Sequence, residues 1–268
     1  MPTCALCLMD TNEVGPLQNS HIIPRFILLK SKDLGQALHY SSDDKSYEIS
    51  QEDWTEYLFC KPCEHRFKQY EDFIQDVLYL RRRTRNLGRW NNTTVVHASN
   101  DALALALLTI LWRAATTSNQ FFHRIQLPEI LISEIRAWIL MKAAPRWRHV
   151  VGIQIKEIKG NDDLTLTPLI EPFMRREKDE DPIEYVFSYG GFLVTYSLPH
   201  KAGSIFGKSK ALRPDSQLVR IPIVQVEQVK EFREIMSEMI ESPPHPEMQA
   251  KMYAFHKRAK SRRPKNRK

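Results

Sequence analysis

Glycine is sparse in this chain, nine in 268 residues, and none of it is spaced as a phosphate-binding loop. A G-x-S-x-G nucleophile turn and any internal repeat are also missing, so nothing points to a nucleotide-loop enzyme, a serine hydrolase or a solenoid. Long apolar runs are lacking too. The longest, Ala102 to Trp112, is followed by Arg113 and is too short for a bilayer, which needs about 20 residues. Met1 to Asp10 has neither a basic nor an apolar leader region. The expectation is a soluble cytoplasmic protein with no membrane partner. A composition 42% hydrophobic and 26% charged is ordinary for a globular chain of one large or two small domains.

Cysteine is scarcer still, and its placement is informative. All four fall in two C-x-x-C pairs, Cys4-Ala-Leu-Cys7 and Cys60-Lys-Pro-Cys63. Two residues between ligands let both thiolates of a tight turn face one ion, and two such knuckles complete a tetrahedral sulfur site that suits zinc. A pair of disulfides does not fit a reducing compartment. A thioredoxin-like redox motif needs only one pair, in a βαβ setting that is not visible here. A four-cysteine site is coordinatively closed, so this Zn²⁺ is expected to be structural. It closes residues 10–59 into a loop whose contents lie beside the helix that follows Cys63.

The positive charge is concentrated at one end. Residues Lys257 to Lys268 hold eight Lys and Arg and no acid, and without those eight the formal +7 of the chain becomes −1. Such a tail suits nucleic acid, because its cations replace counterions along the phosphates, or serves as a solubilising terminus.

Within the closed loop, Asn19-Ser20-His21-Ile22-Ile23-Pro24 reads as a strand that Pro24 ends, with a short helical turn from Phe26 to Lys30. Ala37 to Ser41 and Tyr47 to Ser50 flank Ser42-Asp43-Asp44-Lys45 and read as a hairpin. After Cys63 the period becomes helical: Phe67, Tyr70, Ile74, Val77 and Leu78 form one apolar stripe. Glu64, Lys68, Glu71 and Gln75 lie on another face, and Arg81, Arg82, Arg83 and Arg85 cluster near the helix end.

These residues resemble the zinc-stapled branch of the HNH, or His-Me finger, nucleases. The match is Cys4-x-x-Cys7, then Ser20-His21-Ile22-Ile23-Pro24, then Gln51-Glu52-Asp53, then Leu58-Phe59-Cys60-Lys61-Pro62-Cys63-Glu64 with Glu71 beyond. It is closest to a bacterial subgroup and covers roughly residues 1–80. The resemblance implies a ββα-metal unit in which His21 is the general base that activates water against a phosphodiester. It also implies a divalent ion, Mg²⁺ or Mn²⁺, that stabilises the developing charge. The family often has Asp or His where Ser20 stands, and His or Asn where Glu64 stands. As a carboxylate, Glu64 suits such an ion and is the candidate ligand, with Glu71 and His65 as weaker ones. Glu64 also reads as an acid at the positive end of a helix, and Glu71 as part of a solvated helix face or a partner of Lys68 or Gln75. Thr55 or Glu56 occupies the region of the family's middle Asn.

Further along, Asn100 to Thr117 and Pro128 to Ala143 read as helices, the first capped by Asn100 or Asp101 and the second ended by Pro145. From Val150 the pattern turns to strands: 150–155, 164–167, 185–187, 192–196 and 218–226. Arg175 to Asp181 reads as a charged loop, and helices are expected over Val226 to Ile240 and Glu247 to Lys260. The expected architecture is α+β: a zinc-stapled ββα-metal unit packed on helices, then an antiparallel sheet, then C-terminal helices. Its segments are 1–90, 91–149, 150–256 and a basic tail, 257–268.

Two functions follow. One is a metal-dependent endonuclease, with DNA held by Arg81, Arg82, Arg83, Arg85, Lys257, Arg258, Arg262 and Arg263. The other is a zinc-containing protein without catalysis that binds nucleic acid, or a protein partner or second copy through residues 150–240.

Overall fold

The computed structural model describes residues 2–31, 37–41, 46–50, 53–80, 89–90, 92–159, 169–175, 183–198 and 211–230, with isolated positions up to 253. The turn 42–45, Gln51-Glu52, Arg81, Arg82, Arg83, Arg85, the strand expected at 164–167, most of the two C-terminal helices and the basic tail (Lys257, Arg258, Arg262, Arg263) lie outside the described residues. The fold is α+β, as the patterning implies.

The N-terminal unit is a short helix α1 (Thr11–Val14), strand β1 (Leu17–His21), α2 (Arg25–Ser31), β4 (Thr55–Cys60) and α3 (Lys61–Gln75). Between α2 and β4 runs a hairpin of β2 (Ala37–Ser41) and β3 (Ser46–Ser50), as expected. β1 and β4 pair antiparallel, with Ser20 opposite Glu56 and His21 opposite Thr55. The strand stops at His21 rather than running through the two isoleucines. Ile22 donates its N–H to the carbonyl of Trp54, and Pro24 opens α2 by accepting from Ile27 and Leu28. Both isoleucines are spent on the core. His21 therefore stands at a strand end, where a side chain can reach a surface. Cys63 lies inside the first turn of α3, which starts at Lys61 with Pro62 where its missing N–H costs nothing. The apolar stripe of α3 continues into a π turn, Asp76–Leu80, that buries Val77 and Leu78.

Two further helices follow, α4 (Asn100–Thr116) and α5 (Glu129–Met141). Thirteen residues of α4 are buried. A helix apolar on every side sits in the middle of a core, and α4 packs on α3, α5 and the sheet. Its cap is Ser99, whose hydroxyl oxygen accepts from the Ala102 N–H at 3.2 Å, and not Asn100 or Asp101 as expected. Asp101 is used differently: it accepts from Trp147 Nε1 at 2.7 Å and from the Asp215 N–H at 2.9 Å. α5 ends before Pro145, at Lys142 in the left-handed conformation, where the last carbonyls find donors.

The remaining strands are β5 (Arg89–Trp90), β6 (Thr93–His97), β7 (Gly152–Lys159), β8 (Leu169–Arg175), β9 (Ile183–Tyr189), β10 (Phe192–Leu198) and β11 (Leu218–Gln225). They join β2 and β3 in one nine-stranded sheet of order β3-β2-β8-β9-β10-β7-β11-β6-β5. The sheet is mixed: β2 runs parallel to β8, and β11 parallel to β7. The hairpin leaves the zinc-stapled loop to form one edge, and β5 and β6 form the other. The sheet thus draws strands from both sides of the expected boundaries at 90 and 150. Its faces follow the period of two. Tyr185, Phe187, Val194 and Tyr196 join the main core, while Val186 and Leu193 pack with Ile158, Val229 and Phe232 on the other side. The Tyr196 hydroxyl donates to the Leu107 carbonyl at 2.9 Å, tying the sheet to α4. Among the described residues no helix is long and apolar enough to cross a membrane.

Candidate metal centre and the histidine site

The four cysteines converge. Their sulfur atoms lie within 4.8 Å of one another, and Cys7 Sγ is 3.9 Å from Cys60 Sγ. All four are free thiols. The 3.9 Å separation is nearly twice an S–S bond, which is about 2 Å. It is close to the edge of a tetrahedron built on Zn–S bonds of about 2.3 Å, an edge of roughly 3.8 Å. The first knuckle is shaped by Leu8, whose φ of 62° turns the chain back so that Leu8 N–H meets the Cys4 carbonyl at 2.8 Å. The knuckles are stitched by Ala5 N–H to Leu58 carbonyl at 2.9 Å and by Cys60 N–H to Cys4 Sγ at 3.3 Å. Amide-to-sulfur bonds favour thiolate. The Cys4 thiol is lowered to about 4, mainly by the hydrogen bond it accepts from Cys63, against the opposing effect of burial. Cys60 is pushed up by burial, and Cys63 by its contact with Cys4 and by burial. Four thiols this close do not all ionise unaided, and a central cation removes that conflict. The donor set fits a metal ion.

Next to this cluster, β1 and α3 meet. Ser20 is fully buried and its hydroxyl donates to Glu64 Oε2 at 2.7 Å. Ser20 therefore orients a carboxylate. Glu64 sits in the first turn of α3, near the positive end of the helix. The other oxygen of Glu64 has no partner among the described residues.

His21 is the next residue, and its side chain is 26% exposed. Its Nε2 lies 4.0 Å from Asp53 Oδ2, too far for a hydrogen bond and close enough for attraction once the ring is protonated. Asp53 is exposed, but Trp54 beside it is buried and stacked on Phe121 at 3.9 Å between ring centroids, which anchors this stretch. Burial lowers the His21 pKa from its ordinary 6.5, Asp53 and then Glu71 oppose that, Arg25 adds to it, and Glu64 opposes it. The net result is a ring that is neutral at pH 7.

Arg113 locks this arrangement from below. It is fully buried on α4, and its Nη1 donates both to the His21 carbonyl at 2.8 Å and to Glu71 Oε1 at 2.7 Å. The guanidinium also stands over the Phe67 ring at 5.1 Å. Phe59, Phe67 and Trp112 pack together beneath, joining β4, α3 and α4.

Of the residues read from the sequence, the structure brings together Cys4, Cys7, Cys60 and Cys63, and separately His21, Glu64 and Glu71. His65 is exposed and is not drawn into the site. Glu71 is neither a solvated face nor a partner of Lys68, which pairs with Asp72 at 3.0 Å; it is held by a buried arginine 42 residues away. Glu56 is committed to Thr117 and to the N–H and hydroxyl of Ser118, which fixes the chain after α4. Two residues of the site have no role assigned by the sequence. Asp53 lies in the Gln51-Glu52-Asp53 stretch. Arg113 follows an apolar run, and a cation on a helix apolar all round, which must be buried and paired, is the signal that points to it.

Compared with protein-family models, curated proteins and solved structures, the chain matches none.

Proposed function

We propose that this protein is a metal-dependent endonuclease that hydrolyses phosphodiester bonds of nucleic acid, DNA in the first instance, with His21 as general base. The observation that carries the reading is the His21 ring, partly exposed at a strand end, with Asp53 at 4.0 Å and Glu64 and Glu71 acting on it electrostatically.

The chemistry follows from that arrangement. The neutral imidazole takes a proton from a water molecule, and the resulting hydroxide attacks phosphorus while the bond to the leaving oxygen breaks. Asp53 stabilises the imidazolium that forms. Arg113 fixes the backbone carbonyl of His21 and so the position of the ring. Glu64, oriented by Ser20, would hold a Mg²⁺ or Mn²⁺ ion, and such an ion supplies charge stabilisation at the phosphate and leaving oxygen. The four cysteines would hold one Zn²⁺ with no chemical role, closing the loop so that His21 stays beside α3.

One observation favours a second reading, nucleic-acid binding without cleavage. Ser20 faces Glu64 rather than solvent and Glu71 is committed to Arg113, which leaves few ligands for a divalent ion.

Plasmid nicking by wild type and His21→Ala, with Mg²⁺, Mn²⁺ and other divalent ions, separates the two. Cleavage by wild type and none by the variant, at unchanged circular dichroism and zinc content, is expected. Equal cleavage by both removes His21 from the mechanism, and no cleavage with any ion leaves the second reading.

A further inference from the structure

The chain that leaves α4, residues 117–122, reaches the Asp53 side of the histidine site. Thr117 continues from the helix, its N–H bonded to the Arg113 carbonyl at 3.1 Å. The Thr117 hydroxyl donates to the Glu56 carboxylate on β4, and so do the N–H and the hydroxyl of Ser118, each at 2.9 Å. Asn119 caps the short turn Gln120–Phe122 by accepting from the Phe121 N–H at 3.0 Å. That turn sets Phe121 on Trp54, stacked with 3.9 Å between centroids and 20° between planes, and sets Phe122 edge-on to the same indole at 6.1 Å. The two phenyl rings meet each other edge-on at 5.1 Å.

Trp54 links the two groups of the site. It follows Asp53 in the chain, and its carbonyl accepts at 2.9 Å from the N–H of Ile22, the residue after His21. The Asp53 side chain is 43% exposed, and at 4.0 Å no direct hydrogen bond joins it to His21. Their separation is therefore set by how the two backbones are held. Arg113 holds the His21 carbonyl from the last turn of α4, and the extension of the same helix holds Trp54 and with it Asp53.

We propose that Phe121 is a positioning residue of the histidine site, keeping Asp53 beside the His21 ring through its stack on Trp54. The proposal rests on the reading of His21 as general base. It extends the site to a segment outside the residues, roughly 1–80, that carry the family resemblance. Phe121 acts through Trp54 and Asp53 and not on the substrate. A weaker stack lets Asp53 drift, and an attraction that falls with distance then stabilises the imidazolium less. The other charges around the ring sit on other elements and are not carried by Trp54: Glu64 and Glu71 on α3, Arg25 at the start of α2, and Arg113 on α4 at the His21 carbonyl.

The test is an NMR titration of the His21 ring in the full chain, without added divalent ion, in wild type, Phe121→Leu and Phe121→Tyr, each with and without Asp53→Asn. Asp53 raises the His21 midpoint, so Asp53→Asn is expected to lower it in wild type, and by less than half as much in Phe121→Leu. Phe121→Tyr keeps an aromatic ring and is expected to retain the wild-type response. Circular dichroism checks the fold, with Phe121→Met in place of Phe121→Leu if the latter does not fold. An equal response in Phe121→Leu and wild type overturns the positioning role and leaves the cleavage reading standing. No response in wild type overturns the pairing of His21 with Asp53 and the positioning role with it. Where wild type cleaves, kcat of Phe121→Leu is expected to fall about tenfold with KM little changed, and an unchanged kcat overturns its part in the reaction. A reduced response in Phe121→Leu, with no cleavage by wild type, supports the positioning of the pair and overturns the nuclease.

Discussion

Replacing Arg113 with Met should destabilise the protein strongly, and the size of the effect follows from its contacts. The change removes a charge-assisted hydrogen bond to Glu71 at 2.7 Å and another to the His21 carbonyl at 2.8 Å, each of order 1.5–3 kcal/mol. It also removes the cation over Phe67 at 5.1 Å, of order 1 kcal/mol. Against this, Arg113 Nε and Nη2 are buried without partners, and losing them returns on the order of 1–3 kcal/mol. Glu71 is left uncompensated but is 22% exposed, so water softens its loss. The expected net cost is about 3 kcal/mol, within the range for breaking a buried ion pair. For a chain of this length that is a fall in melting temperature of roughly 6–12 °C. Urea unfolding of wild type, Arg113→Met, Glu71→Gln and the double variant closes a thermodynamic cycle. The double variant should be less destabilised than the sum of the singles by about 1.5 kcal/mol or more, because each removal spares the other group its desolvation. Additive single effects, or a cost for Arg113→Met below about 1 kcal/mol, would refute the buried-pair argument.

Other outcomes can be checked directly. Elemental analysis should find one zinc per chain, and Cys63→Ser should lose it together with the cooperative thermal transition, since metal binding in such sites is coupled to folding. If His21 is the base, log(kcat/KM) should rise with pH and level off at a midpoint below 6.5, because burial lowers the pKa of the ring. Asp53→Asn removes an influence that raises that pKa, so the midpoint should move to lower pH while the maximum rate drops; a midpoint moving upward would contradict the geometry. Gly190→Ala should destabilise by roughly 1–3 kcal/mol in thermal melts. Gly190 has a φ of +59°, and an added Cβ would stand 2.1 Å from the Tyr79 hydroxyl, breaking its 2.9 Å hydrogen bond to the Gly190 carbonyl.

Much of the local structure could be read directly from the chain because it depends on near neighbours. The C-x-x-C spacing sets each knuckle, the apolar stripe from Phe67 to Leu78 sets α3, and Gly190-Gly191 sets the turn between β9 and β10. The β-rich run Tyr185-Val186-Phe187 indicated a strand, and the structure divided its residues between two faces. Position in three dimensions was a different matter. No spacing rule says that β2 runs beside β8 or that β11 runs parallel to β7, because those pairings are between segments far apart in sequence. The end of β1 at His21 was equally hidden. Ile22 and Ile23 have the side chains of a strand, but the Trp54 carbonyl and the helix started by Pro24 claim their backbone. Arg113 is the clearest case. Its sequence neighbourhood shows only a cation after an apolar run, and its role depends on Glu71 and His21 being brought to it by different elements. The sequence by itself determined the two cysteine knuckles and the local elements that carry His21 and Glu64. The tertiary structure decided which of them meet, because a buried charge takes its partner from whatever the packing places within reach.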